Sequence, residues 1–141
     1  MIPKIQDFLK NRDPQLCVLA TSSLTGIPQC AVMGYAVTDD LNLILSTDKT
    51  SRKVVNIKTN PQVALVFGWL FTELNVQIQG EARLIESGQE LKTCEEIYFA
   101  SHPESVEFKG SPETIFIKIK PLWLRLSDYS VDPPLIQEMS I

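Results

Sequence analysis

The sequence predicts a mainly β protein, a small closed or nearly closed antiparallel barrel of six strands with peripheral α-helices. Three observations carry this. Compact apolar runs recur along the chain, separated by turn signals such as Thr25-Gly26 and Asp39-Asp40. Residues 76–84 alternate strictly, Val76, Ile78, Gly80, Ala82 and Leu84 against Gln77, Gln79, Glu81 and Arg83, the pattern of a strand with one buried and one wet face. Only three short segments carry helical spacing, too little to build a core of helices.

Taken in order, Ile2, Ile5, Phe8 and Leu9 follow helical spacing after Pro3, a favourable first-turn residue, and Asp13-Pro14 closes this opening helix. Buried strands are expected at 16–20 (LCVLA), 30–37 (CAVMGYAV), 41–45 (LNLIL) and 63–67 (VALVF). A short helix over about 50–59 ends at Asn60-Pro61. Ser87 and Glu90 have capping-box spacing, and Leu91, Cys94 and Tyr98 continue at helical intervals, so 88–101 reads as a helix. The last strand puts Ile115, Ile117 and Ile119 on one face and Leu122, Leu124 and Leu126 on the opposite parity, with Pro121 marking a bulge or edge between them.

The 141 residues suit one domain, 1–141, large enough for a real core. Thirteen Lys and Arg against 17 Asp and Glu give a net charge of −4, and no basic run exceeds two residues, which argues against nucleic acid as a partner. Residues 14–38 carry no charge, yet 21–29 are mostly polar and turn-forming, so two strands and a hairpin are expected there and not a membrane span. Lys4, Asp7 and Lys10 interrupt the first ten residues, and Cys17, Cys30 and Cys94 are odd in number and widely spaced. Buried thiols in a reducing cytoplasm fit this better than a disulfide framework. A single histidine, His102 in a His-Pro context, reads as a surface loop residue and leaves too few ligands for a metal centre.

The chemically informative segment is Ser46-Thr47-Asp48-Lys49-Thr50-Ser51-Arg52-Lys53, between a strand and a helix start. A helix N-terminus carries partial positive charge, so Lys49, Arg52 and Lys53 together are unfavourable there unless an anion sits among them. Two readings stand. One is a phosphate held by backbone amides, hydroxyls and cations; the other is a solvated polar turn.

The run STDKTSRKVVNIKTNPQVALVFGW resembles the flavin-binding core of the pyridoxamine 5′-phosphate oxidase-like split-barrel family, and the similarity extends from Leu16 to Ile85. The resemblance implies a six-stranded split barrel that homodimerises and binds FMN at the subunit junctions. It assigns the cofactor phosphate to Ser46, Thr47, Ser51, Arg52 and Lys53, and runs the main chain of Val32 and Met33 alongside the isoalloxazine ring. Asn75 stands where the family often has a glutamine reaching the flavin, and Trp69 ends its strand as an aromatic, for the ring or for a dimer contact.

Two departures qualify this. Ala31 and Ala36 stand where the oxidases carry basic cofactor contacts on each side of the Val32-Met33 strand, so two such contacts are missing, and the tail WLRLSDYS lacks the Arg-x-His that grips pyridoxal phosphate in the family, leaving Arg125 solvated or paired with Asp128. The expectation is therefore a flavin-dependent oxidoreductase whose substrate is not pyridoxamine 5′-phosphate. The alternatives are a non-catalytic flavin-binding or storage module, or a split barrel holding a deazaflavin coenzyme or haem. A cytoplasmic homodimer with no membrane or nucleic-acid partner completes the expectation.

Overall fold

The computed structural model describes residues 1–141. In chain order the elements are α1 (Ile2–Asn11), β1 (Leu16–Ser22), β2 (Pro28–Val37), β3 (Leu43–Asp48), α2 (Arg52–Thr59), β4 (Gln62–Phe67), β5 (Leu74–Ile85), α3 (Gly88–Ser101), β6 (Thr114–Asp128) and β7 (Leu135–Ser140), with a 3₁₀ turn at Pro103–Phe108. The strands hydrogen-bond in the order β3-β2-β1-β4-β5-β6-β7, and β3 also pairs with β6. The first six strands therefore close into the expected antiparallel barrel, and β7 lies outside it on β6. The sequence hid β7 because its residues are exposed on both faces, which leaves no alternating pattern to read.

Closure depends on β6. It pairs with β5 from Phe116↔Ile85 to Asp128↔Leu74, with β3 over Thr114–Ile119, and with β7 over Trp123–Asp128. Between its two sets of partners the register slips, because Gly80 faces Pro121 while Gln79 faces Trp123, leaving Leu122 as the extra residue of a bulge. Pro121 supplies no N–H to the ladder, and a Cβ on Gly80 would lie 2.5 Å from the Lys120 carbonyl oxygen, so both residues suit the break. The expected bulge is present. Its extra residue, Leu122, is exposed, while Leu124 and Leu126 resume the buried face as anticipated.

Inward side chains fill the barrel, among them Leu19, Met33, Tyr35, Leu45, Leu65, Phe67, Ile78, Ile117 and Leu124. Ile5 and Leu9 of α1 join this core, and Tyr35 Oη donates to the Leu9 carbonyl at 2.7 Å. α2 packs against β1 and β5 and contributes Ile57. A second cluster lies outside the barrel, where Cys94, Tyr98 and Phe99 of α3 cover Ala36, Ile44 and Phe116. No helix of the structure is long and apolar enough to cross a membrane.

Several local expectations are corrected. Cys17 and Cys94 are buried, but Cys30 is exposed, because its parity on β2 turns it to the outer face. Burial lifts the Cys17 thiol to about 12, against a smaller opposing pull from Arg12. The capping box of α3 does not form. Ser87 makes no side-chain cap bond, Gly88 takes a positive φ of 81°, and Glu90 pairs instead with Arg83 at 2.5 Å. Arg125 does not meet Asp128; it pairs at 2.6 Å with Glu138, its direct cross-strand partner on β7, and Asp128 accepts from Ser130.

His102 is not a surface residue. Its ring is buried, stacks on Tyr98 with centroids 4.5 Å apart, and places Nε2 2.6 Å from the Tyr35 carbonyl oxygen. A carbonyl only accepts, so Nε2 carries the proton and donates. Substituting His102→Ala removes the stack and leaves that buried carbonyl unpaired, and should lower stability by about 1–3 kcal/mol in urea unfolding. An unchanged unfolding midpoint would contradict this role.

Candidate functional site

β3 ends in a tight polar turn that feeds α2. Asp48 Oδ1 accepts from the Thr50 amide at 2.7 Å and from Thr50 Oγ1 at 2.6 Å. Those two bonds, helped by nearby Lys53, hold the exposed Asp48 carboxyl below its ordinary range. The Lys49 amide donates to the Glu113 carbonyl at 2.9 Å, tying the turn to the start of β6. Asp48 is thus committed to shaping the turn and stays ionised at neutral pH.

The helix start presents its charge openly. Ser51 is the N-cap of α2 but makes no side-chain cap bond, and no acidic residue occupies the first turn. Thr47 Oγ1 lies 3.4 Å from Ser51 Oγ and 3.4 Å from Lys53 Nζ, so two hydroxyls and an ammonium converge. Arg52 is exposed beside them, and Lys49, Arg52 and Lys53 form no ion pair within 4 Å. Hydroxyl donors, two cations and free first-turn amides make a donor set suited to a phosphate. Ser46 has the opposite parity to Thr47. With Thr47 and Asp48 it lines a cavity of about 350 Å³ that extends to Tyr98, Phe99, Phe108 and Thr114.

Behind the helix start runs a buried polar chain that the sequence did not reveal. Asn56 Nδ2 donates to Thr21 Oγ1 at 3.0 Å, and Thr21 Oγ1 donates to Gln29 Oε1 at 3.2 Å. Asn56 and Thr21 are both buried, and their bonds fix α2 against the β1–β2 hairpin. The partners are 35 residues apart in the chain, which no local pattern encodes.

The remaining expected site residues divide into two groups. Val32 and Met33 lie on β2, beside β3 in the sheet; Val32 projects outward and is exposed, Met33 points into the core. Ala31 and Ala36 add no charge to that strand, and Ala36 is buried under α3. Asn75 and Trp69 lie elsewhere, separated from β2 by β1 and β4. At about 4.8 Å per strand this is roughly 14 Å along the sheet. Asn75 Nδ2 donates to the Gly68 carbonyl at 2.5 Å, leaving Oδ1 as its free group. Trp69 does not end its strand: β4 stops at Phe67, Gly68 turns the chain with a φ of 81°, and the indole stands in the loop, half exposed.

The fold defines a split-barrel protein that gathers hydroxyls and cations between β3 and α2. A family model described as pyridoxamine 5′-phosphate oxidase matches residues 1–128, and the chain belongs to that family. A pyridoxine/pyridoxamine 5′-phosphate oxidase of Crocosphaera subtropica is 35% identical over 91 residues, 64% of this chain and 40% of that protein. The chain spans about two fifths of the length of the curated relatives it matches. Among solved structures, a pyridoxamine 5′-phosphate oxidase-related, FMN-binding protein of Nostoc punctiforme superposes with a TM-score of 0.72 at 18% identity, covering 99% of this chain and 95% of that one. A haem-binding protein of Mycobacterium smegmatis gives 0.74 at 14% identity, over 89% of this chain and 52% of its own. At these identities the two structures show a shared fold.

Asn56→Leu should cost about 1–3 kcal/mol, because the buried Thr21 hydroxyl loses the donor it accepts from. Thermal unfolding reads it, and a variant as stable as the parent would show that the chain of bonds holds nothing in place.

Proposed function

We propose that the protein is an FMN-dependent oxidoreductase. The observation that supports this is the convergence of Thr47, Ser51 and Lys53 at the start of α2, with Arg52 unpaired beside them. In this reading Thr47 and Ser51 donate to the cofactor phosphate, Arg52 and Lys53 neutralise it, and the Val32–Met33 main chain flanks the ring. Ser46 borders the cavity next to the cradle. Bound flavin supplies the electron- and hydride-transfer chemistry. The chain's part is to grip the phosphate, orient the ring and keep water from one side of it.

The substrate in this reading is not pyridoxamine 5′-phosphate. A second phosphate needs paired cations or convergent donors, but near the C-terminal strand only Arg125 is available, and it is spent on Glu138. Haem is a poorer occupant than flavin. Haem iron would need a side-chain ligand, and the chain's one histidine, His102, has committed Nε2 to the Tyr35 carbonyl. A deazaflavin coenzyme, or flavin held for storage without turnover, would use the same phosphate cradle; reduction of the bound flavin by a nicotinamide donor and reoxidation by an acceptor separates the enzyme from the store.

The reading includes a homodimer. On the outer face of the barrel, cross-strand register aligns Val32, Val18 and Val66 in one row and Cys30, Ala20 and Ala64 in the next. α3 packs on β2 and β3 and leaves β1 and β4 without a helix on this face. Water-facing rows of small and β-branched side chains suit a flat sheet-to-sheet contact. A second copy would also bring Asn75 and Trp69 to a cradle that lies, within one chain, at the other end of β6 from Asn75.

Two measurements check this. Charge-assisted hydrogen bonds are worth about 1.5–3 kcal/mol, so Lys53→Glu should weaken FMN binding roughly ten- to a hundredfold and leave riboflavin, which has no phosphate, nearly unaffected. Equal losses for both ligands would remove Lys53 from the phosphate site. Light scattering at micromolar concentration should give twice the 15.9 kDa chain mass, and a stable monomer would sink the shared site.

A further inference from the structure

The connector between α1 and β1 carries Arg12, whose side chain is only 8% exposed. Its guanidinium carbon lies 4.5 Å from the centroid of the Trp69 ring and 5.6 Å from that of Phe8. Nη1 pairs with Glu73 Oε1. The other carboxylate oxygen of Glu73 accepts from the amides of Trp69, at 3.2 Å, and Leu70, at 3.3 Å. The Glu73 amide in turn donates to the Leu70 carbonyl at 3.2 Å, and Asn75 Nδ2 grips the Gly68 carbonyl. One arginine therefore holds the β4–β5 connection from both sides, stacking on its indole and anchoring the carboxylate that bonds its backbone.

This arrangement is a costly way to gain stability. Arg12 Nε is buried with no hydrogen-bond partner, and a buried ion pair seldom outperforms apolar packing of the same volume. What a planar guanidinium does and an apolar residue cannot is set the plane of an aromatic ring while pairing with a carboxylate at its edge. Gly68 leaves the chain little other freedom: a Cβ there would lie 2.1 Å from the Leu74 carbonyl oxygen, so the two arms of the connection are already in contact.

We propose that Arg12 is a positioning residue for the ring-side half of the cofactor site. It fixes the plane of Trp69 and, through Glu73, the segment that carries Asn75. This rests on the flavin reading above, and it assigns Arg12 to the ring and not to the phosphate. Lysine in its place keeps the charge for Glu73 but cannot stack as a plane.

The test compares Arg12→Lys and Arg12→Gln with the parent protein for urea midpoint and for Kd of FMN and of riboflavin. Arg12→Lys should stay folded, with a urea midpoint between those of the parent and Arg12→Gln, yet bind both flavins about tenfold more weakly, by the same factor, because the indole plane must then be fixed on binding. Arg12→Gln should lose as much affinity or more. Parental affinity in Arg12→Lys, or a loss confined to FMN, would overturn the proposal. If the parent protein binds neither flavin, the functional reading fails separately. Acrylamide quenching of Trp69 in a Trp123→Phe background then decides: stronger quenching in Arg12→Lys supports the clamp, and unchanged quenching overturns it.

Discussion

The structure depends on one ladder, the antiparallel pairing of β3 with the first half of β6. Without it, β3-β2-β1-β4-β5-β6 is an open sheet with two free edges and an unfilled concave face. With it, Leu43 and Leu45 meet Ile117 and Ile119 and the core is enclosed. β6 serves two masters along its length, closing the barrel first and then turning outward to carry β7. The Leu122 bulge lets one strand do both, because the slip re-aims the second half without breaking the ladder to β5.

The candidate site inherits its position from that ladder. β3 ends next to the start of β6, so the polar turn that follows is pinned by the Glu113 carbonyl before α2 begins. α2 is then fixed at its middle by Asn56 on Thr21. Two independent anchors thus hold a helix start whose cations have no carboxylate partners. Tethering of this kind lets a protein keep like charges together, since the turn cannot relax to spread them apart. Asp48, held ionised by Thr50, supplies the geometry, and the net positive character of the turn remains.

What was legible in the sequence follows how far apart interacting residues lie. The barrel strands announced themselves because burial on one face writes a period of two into neighbouring positions. The grouping of hydroxyls and cations was legible because residues 46–53 are contiguous, so strand end, turn and helix start appear in one string. His102 was misread because its fate is set by a carbonyl 67 residues away. Arg12 went unnoticed because Glu73, 61 residues on, gives no local sign of needing it. The capping box failed over a short span: Glu90 pairs with Arg83, seven residues back, and Ser87 makes no cap bond.

The place of β6 in the chain has a consequence for synthesis. The barrel-closing ladder ends at Leu43↔Ile119, so five of the six barrel strands are made before closure is possible. Until residue 119 leaves the ribosome, β3 keeps a bare hydrogen-bonding edge and the apolar interior stays open along one seam. The nascent protein therefore passes through its most adhesive form when five of its barrel strands exist and the sixth does not.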